Sequence, residues 1–192
     1  LVYLTRDGGA NWQNVTPTGL QECLINAIEI SPFDKGTAYI ATTRYKFNDH
    51  TPGIYKTTDY GKTWTRISNG IPVGAFTRVV REDDTRKDML FAGTESGLYV
   101  SWDGGKAWTS FQLNLPITPI TDLRIHQGNL IAATSGRSFW ILDDLSLLRQ
   151  YKKGISSFSI LQPSPAYLVN GSSELDNTDT SFTGPHKFRG VN

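Results

Sequence analysis

The sequence predicts an all-β protein assembled from blades of four antiparallel strands, and three observations carry that prediction. An octapeptide of the form Ser/Thr-x-Asp-x-Gly-x-x-Trp occurs three times, at residues 5–12, 57–64 and 101–108. Each copy closes a short alternating run with a tyrosine at the same offset: Tyr3, Tyr55 and Tyr99. The corresponding runs start at Gly53, Gly97 and Ser138, 44 and then 41 residues apart, and two further strand-like runs stand before each. Four short strands at a period of ~40–45 residues is the signature of β-propeller blades. The chain carries about three and a half of them.

The octapeptide is turn chemistry. The short carboxylates of Asp7, Asp59 and Asp103 can accept hydrogen bonds from the N–H groups of a tight turn. Gly9, Gly61 and Gly105, two residues later, can take a positive φ without a Cβ clash. The Ser or Thr hydroxyl that opens each copy can bond locally as well. Trp12, Trp64 and Trp108 then supply a large apolar face to cover the hairpin. These nine residues are therefore expected to be structural.

Taken in order, residues 1–16 form the end of a blade: a strand, the first octapeptide and a second strand reaching Val15. The first full blade spans 24–70. Its strands are 24–31, where Ile28 and Ile30 alternate with Glu29, then 38–43, 53–58 and 65–67, with turn residues at 32–36 and a polar insertion at 44–52. The next blade, 76–113, repeats the order with strands at 77–82, 89–94, 97–101 and 109–113; its insertion shrinks to Glu95-Ser96. The last, 120–150, has strands at 120–125, 130–134 and 138–142. Trp140 falls on Tyr55 and Tyr99, and Asp144 on Asp59 and Asp103, but no Gly and Trp follow, so 145–150 is expected to turn helically instead. Ala41, Ala92 and Ala132 match across the second strands, as do Thr43, Thr94 and Thr134. Residues 151–192 change character to Pro-, Ser-, Asn- and Gly-rich sequence and read as an exit strand and an irregular linker toward a further domain.

Charge is nearly balanced at +1, which leaves no basic footprint for nucleic acid. No apolar stretch approaches the ~20 residues that span a bilayer. Cys23 is the single cysteine and the three histidines are scattered, so neither an intrachain disulfide nor a metal cluster is expected, and no cofactor. Propellers close with ~4–8 blades, so the remaining blades are expected from the same parent protein or a companion chain.

The octapeptide is identified as the Asp-box, or BNR repeat, and resembles the hairpins of sialidases, sortilin-type (VPS10) propellers and xyloglucanase propellers. The stretches Arg44-Tyr45-Lys46, Val79-Val80-Arg81-Glu82-Asp83, Ala92-Gly93-Thr94-Glu95-Ser96-Gly97 and Gly136-Arg137-Ser138-Phe139-Trp140-Ile141-Leu142-Asp143-Asp144-Leu145 are similar to those of large bacterial BNR or sortilin-like propeller proteins, many labelled glycosyl hydrolases. The resemblance implies the C-terminal part of a long propeller in an exported protein, whether periplasmic, outer-membrane-associated or extracellular. Residues 190–192 then look like the lead-in to a further β domain. Ser135 stands where that group has a histidine.

Function divides between binding and hydrolysis. As a binding or scaffold propeller, the chain would meet a peptide, protein or glycan through loops and innermost strands. Arg44, Tyr45 and Lys46 open the long insertion, and Arg137 lies at the equivalent place in the last blade. Glu29, Arg81 and Arg124 occupy one position in successive innermost strands and are candidates to face a central channel or to pair with one another. The alternative is a glycoside hydrolase of sialidase or xyloglucanase type, with catalytic residues partly outside this stretch. Such an enzyme needs two carboxyl groups across the bond, or a Tyr nucleophile with a carboxylate helper. Asp83-Asp84 and Asp143-Asp144 are adjacent in sequence, but neighbouring strand residues point to opposite faces. They read as turn residues, so no catalytic residue is assigned.

Overall fold

The computed structural model describes residues 1–151, 158 and 160–165, and the backbone of 188–191. It contains one two-stranded and three four-stranded antiparallel sheets. Strands β1 (Tyr3–Leu4) and β2 (Gln13–Asn14) form the short hairpin. The second sheet joins β3 (Leu24–Ile30), β4 (Ala38–Arg44), β5 (Asp49–Thr57) and β6 (Thr65–Arg66). The third joins β7 (Thr77–Glu82), β8 (Leu90–Thr94), β9 (Gly97–Ser101) and β10 (Thr109–Ser110). The fourth contains β11 (Ile120–His126), β12 (Asn129–Thr134) and β13 (Phe139–Leu142). Its outer place is taken by β14 (Phe188–Val191), which pairs with β13 although the sequence reading puts 190–192 in a lead-in to another domain. Within each sheet the strands are hydrogen-bonded in chain order, as propeller blades require. Most of the exit segment expected at 151–192 lies outside the described residues.

The blades stack face to face, and the core lies between them. Tyr39, Ala41 and Ile54 of the first full blade meet Val80, Leu90 and Ala92 of the next. Val79, Phe91, Leu98 and Val100 on the other face of that sheet meet Ile120, Leu123, Leu130 and Leu142. The period-2 alternation thus feeds two different cores from one sheet. A five-residue helix, α1 (Ser146–Gln150), follows β13 in place of the outer hairpin turn, as the degenerate sequence there predicts.

The three octapeptides adopt one hydrogen-bonded turn. Asp59 Oδ1 accepts from Thr63 N–H (2.9 Å) and Thr57 Oγ1–H (2.8 Å), while Gly61 N–H donates to Thr57 Oγ1 (2.9 Å). Asp7 and Asp103 repeat the pattern. The tryptophans do more than cover their own hairpins. Trp64 Nε1–H donates to Val15 O (2.8 Å) and Trp108 Nε1–H to Ile67 O. Each acceptor stands three residues beyond the tryptophan of the preceding blade. Gly61 and Gly105, at φ 78° and 90°, pack on the same residues: a Cβ would sit 2.6 Å from Val15 in the first case and closer still to Ile67 in the second. Glycine is required there by the neighbouring blade as much as by the turn.

Hydrogen bonds hold the carboxylates of Asp59 and Asp7 well below the ordinary aspartate range. Asp59 is lowered to about 2, first by the Thr63 hydroxyl and then by its N–H; Asp7 is lowered to about 2, chiefly by the backbone N–H of Asn11. A depressed folded-state value stabilises the fold above the unfolded value of about 4 and loses that contribution as pH falls toward 2. The advantage of wild type over Asp59→Asn is therefore expected to shrink between about pH 4 and 2. Melting curves across that window check it; a pH-independent offset would show that the charge is not what the turn uses.

Candidate functional site

Antiparallel order gives every blade two ends. The octapeptide turns and the first-to-second-strand turns share one end, where Tyr60 N–H donates to Gly36 O and Gly104 N–H to Asp88 O. The turn after β4, the turn after β12 and the connections between blades lie at the other, which is where Arg44, Tyr45, Lys46 and Arg137 emerge.

The expected insertion at 44–52 is shorter than read from sequence. A single 3₁₀ turn, Tyr45–Phe47, is followed at once by β5, because Asp49 already pairs with Arg44 in the ladder. Their side chains pair as well, with Arg44 Nε 3.0 Å from Asp49 Oδ2, and Arg44 Nη1–H donates to Glu22 O (3.0 Å). Tyr45 stacks on the buried ring of Phe76 at 5.5 Å, and His50 meets the same ring edge-on at 5.6 Å. One face of Tyr45 remains open to solvent, and Lys46 beside it is exposed. Arg137 is exposed on the turn between β12 and β13, two blades away. Two loop tips at this end present bare aliphatic side chains: Val73 is 77% and Ile117 81% exposed.

Arg81 and Arg124 lie elsewhere, on the innermost strands. Arg81 bridges three blades: Nη1 lies 3.4 Å from Glu29 Oε2, Nη2 lies 2.7 Å from Asp122 Oδ1, and Nε–H donates to Leu123 O (2.8 Å). Of the two roles open to it, pairing is the one it fills. Burial pushes Glu29 up, opposed by the nearby charges of Arg81 and Arg124. Arg124 itself is exposed on β11.

The adjacent carboxylates weighed as catalytic are engaged. Asp83 has no exposed side-chain surface and holds Arg149 through both oxygens; Asp84 holds the same guanidinium at 2.9 Å. Asp144 Oδ1 accepts from Ser146 N–H and Ser164 Oγ–H, both at 2.9 Å. Among the described residues no group of three His, Cys, Asp or Glu side chains is placed to hold a metal ion, and no helix is long and apolar enough to cross a membrane.

Sequence reasoning missed two residues at the loop end. Arg66 of β6 is exposed and donates to Pro52 O (2.6 Å). The Thr43 hydroxyl of β4 is buried with no hydrogen-bond partner among the described residues. An unmet buried hydroxyl costs ~1–3 kcal/mol, a signal that arises only from the folded surroundings. The matching of Thr43 with Thr94 and Thr134 pointed to a repeat position and not to a site.

Solved structures share this architecture. The chain aligns with YCF48 bound to D1 peptide at a TM-score of 0.53 and 19% identity, over 79% of this chain and 45% of that one. It aligns with YCF48 from Cyanidioschyzon merolae at 0.51 and 20%, over 73% and 45%. A GH74 enzyme from Niastella koreensis aligns at 0.49 and 20%, over 61% of this chain and 21% of that one. At these identities the likeness to the two YCF48 structures is one of fold, a β-propeller, and this chain spans less than half the length of each of the three. No protein-family model matches the chain, and no curated protein is significantly similar to it.

Proposed function

We propose that the chain is the binding part of a larger, exported Asp-box propeller of sortilin-like type, and that it takes its ligand, without catalysis, at the loop end of the blades. The observation that supports this reading is the Arg44–Lys46 turn. Its tyrosine is stacked on Phe76, whose ring His50 braces edge-on, and its arginine is held by Asp49, so an aromatic face and a cation are presented with little freedom left to lose. Groups ordered in advance bind more tightly because less entropy is lost on contact. Tyr and Arg are the residues that most often dominate an interface. The bare Val73 and Ile117 tips flank this turn's end of the molecule with apolar surface.

Peptide, protein and glycan all fit a surface of this kind. One of the aligned propellers has a D1 peptide bound, so a peptide is the class to test first. The partner blades are part of the same proposal. Ile28 is 53% exposed, whereas Val80 and Leu123, which hold the same place in the next two innermost strands, are sealed by the blade before them. A further pair of inner strands beside β1 would seal Ile28 in the same way.

The test is a random peptide display selected on the chain, followed by affinity measurement on variants of the loop end. Tyr45→Ala is expected to weaken the selected peptides by roughly tenfold, the ~1.4 kcal/mol of a typical anchor residue. Lys46→Ala and Arg137→Ala should each weaken them less. Undiminished affinity in the triple variant would remove the loop end from consideration. A selected peptide that competes at Arg124 instead would move the site to the innermost strands.

A further inference from the structure

We infer that the groove between residues 19–21 and the β4–β5 hairpin is a carboxylate-binding subsite, and that it receives an acidic side chain of an extended peptide. This rests on the reading of the loop end as the ligand-binding end and adds the chemistry of what binds there. The groove encloses about 260 Å³, lined by Thr43 and Arg44 of β4, Asp49 and Tyr55 of β5, and Arg66 of β6. That is smaller than the ~300–1,000 Å³ of a pocket that swallows a whole small molecule. It suits one functional group of a longer ligand.

Two guanidinium groups and one carboxylate line the groove, so it is positive by one charge before a ligand arrives. The single carboxylate does not use up the donors. Arg44 spends Nε on Asp49 and Nη1 on Glu22 O, and Arg66 spends Nη2 on Pro52 O. A guanidinium carries five N–H groups, so both arginines keep donors for an incoming anion. Among the described residues Arg66 has no ion-pair partner. Thr43, a residue 3% exposed, adds a buried hydroxyl with no partner among the described residues, in the wall of the same groove. Two arginines and an unmet hydroxyl call for an acceptor with several lone pairs, and a carboxylate supplies about four.

The groove is open at both ends, which is why the ligand is read as a chain. Past Gly19, Leu20 and Tyr55 it continues into a hollow bounded by Lys62 and Trp64. Past Thr51 and Arg66 it continues toward Val73. A peptide laid along this path would place its carboxylate between Arg44 and Arg66, a second acidic residue near Lys62, and an apolar residue near Val73.

The test is titration of the isotope-labelled chain with a blocked tri-glutamate peptide, its tri-glutamine counterpart and glucuronate, read by amide and arginine Nε chemical shifts. Tri-glutamate should give saturable shifts at Thr43, Arg44 and Arg66, and tri-glutamine should not. Thr43→Val is expected to lower tri-glutamate affinity about tenfold, the loss of one hydrogen bond to a charged group. It should leave the melting temperature equal or higher, because a hydroxyl without a partner contributes nothing to the free fold. Arg66→Gln should lower affinity at least as much. Equal binding of tri-glutamine, unchanged affinity in both variants, or a melting temperature lowered by Thr43→Val would each overturn the subsite. Glucuronate binding as tightly as tri-glutamate would overturn the peptide assignment. Shifts confined to Tyr45, Phe76 and Arg137 with the display-selected peptides would overturn the subsite and leave the ligand-binding end standing; no binding of any peptide would overturn both.

Discussion

Trp108→Ala is expected to destabilise the fold by about 3–5 kcal/mol, the range for deleting a large buried aromatic. Trp12→Ala, the same substitution in the same octapeptide, should cost under about 1 kcal/mol. Burial separates them: Trp108 is 4% exposed and Trp12 61%. Trp108 sits in the core between two blades with Ile54, Val80 and Leu90, and its Nε1–H holds the Ile67 carbonyl of the preceding blade. Removing the ring opens a cavity in that interface and strands the carbonyl. Among the described residues Trp12 has no such neighbour; its Nε1–H folds back to Gly9 O of its own turn at 3.0 Å. Trp64, which reaches Val15 O from a half-buried position, should fall between the two. Urea midpoints for the three alanine variants rank them. If Trp12 and Trp108 prove equal, the tryptophan serves its own hairpin and the inter-blade role is wrong.

That ranking marks where the sequence stops being informative. Strand positions and turns were legible because both are local. Alternating burial has a period of two, and the Asp-x-Gly turn uses groups within four residues of one another. The partner of each tryptophan was not legible, because Val15 and Ile67 are ordinary aliphatic residues whose importance comes from the stacking of blades. The same holds for Arg81. Its recurrence with Glu29 and Arg124 can be read from the alignment, but whether it faces a channel or its neighbours depends on Asp122, one blade farther on. At the loop end, Arg44 and Tyr45 stand out in the sequence by chemistry and position. Arg66 does not, because a lone arginine on a two-residue outer strand looks like any solvated charge. Thr43 carries no sequence signal at all: an unmet hydrogen bond is a property of surroundings, and Thr43, Thr94 and Thr134 are indistinguishable in sequence.

Arg149→Met is the second large effect, expected at about 3–5 kcal/mol because it leaves a buried carboxylate without its cation. For a chain of this size that lowers the melting temperature by roughly 6–20 °C. The carboxylate is Asp83, whose side chain is wholly buried and meets Arg149 Nε and Nη2 at 2.9–3.1 Å. Asp83 Oδ1 also accepts from the N–H groups of Thr85 and Arg86, which shapes the turn after β7. An asparagine at this position could keep those two backbone bonds while discarding the charge. Asp83→Asn in the Arg149→Met background is therefore expected to recover at least half of the lost stability, though each change alone removes the ion pair. The double-mutant cycle thus tests whether Asp83 and Arg149 act as one buried pair. Recovery identifies Asp83 as half of a clasp, completed by Arg86 Nη1 donating to Leu148 O and Tyr151 O, that fastens α1 to the blade before it. Without recovery, the buried charge is stabilised by the turn alone and α1 is held by Leu145 and Leu148 in the core.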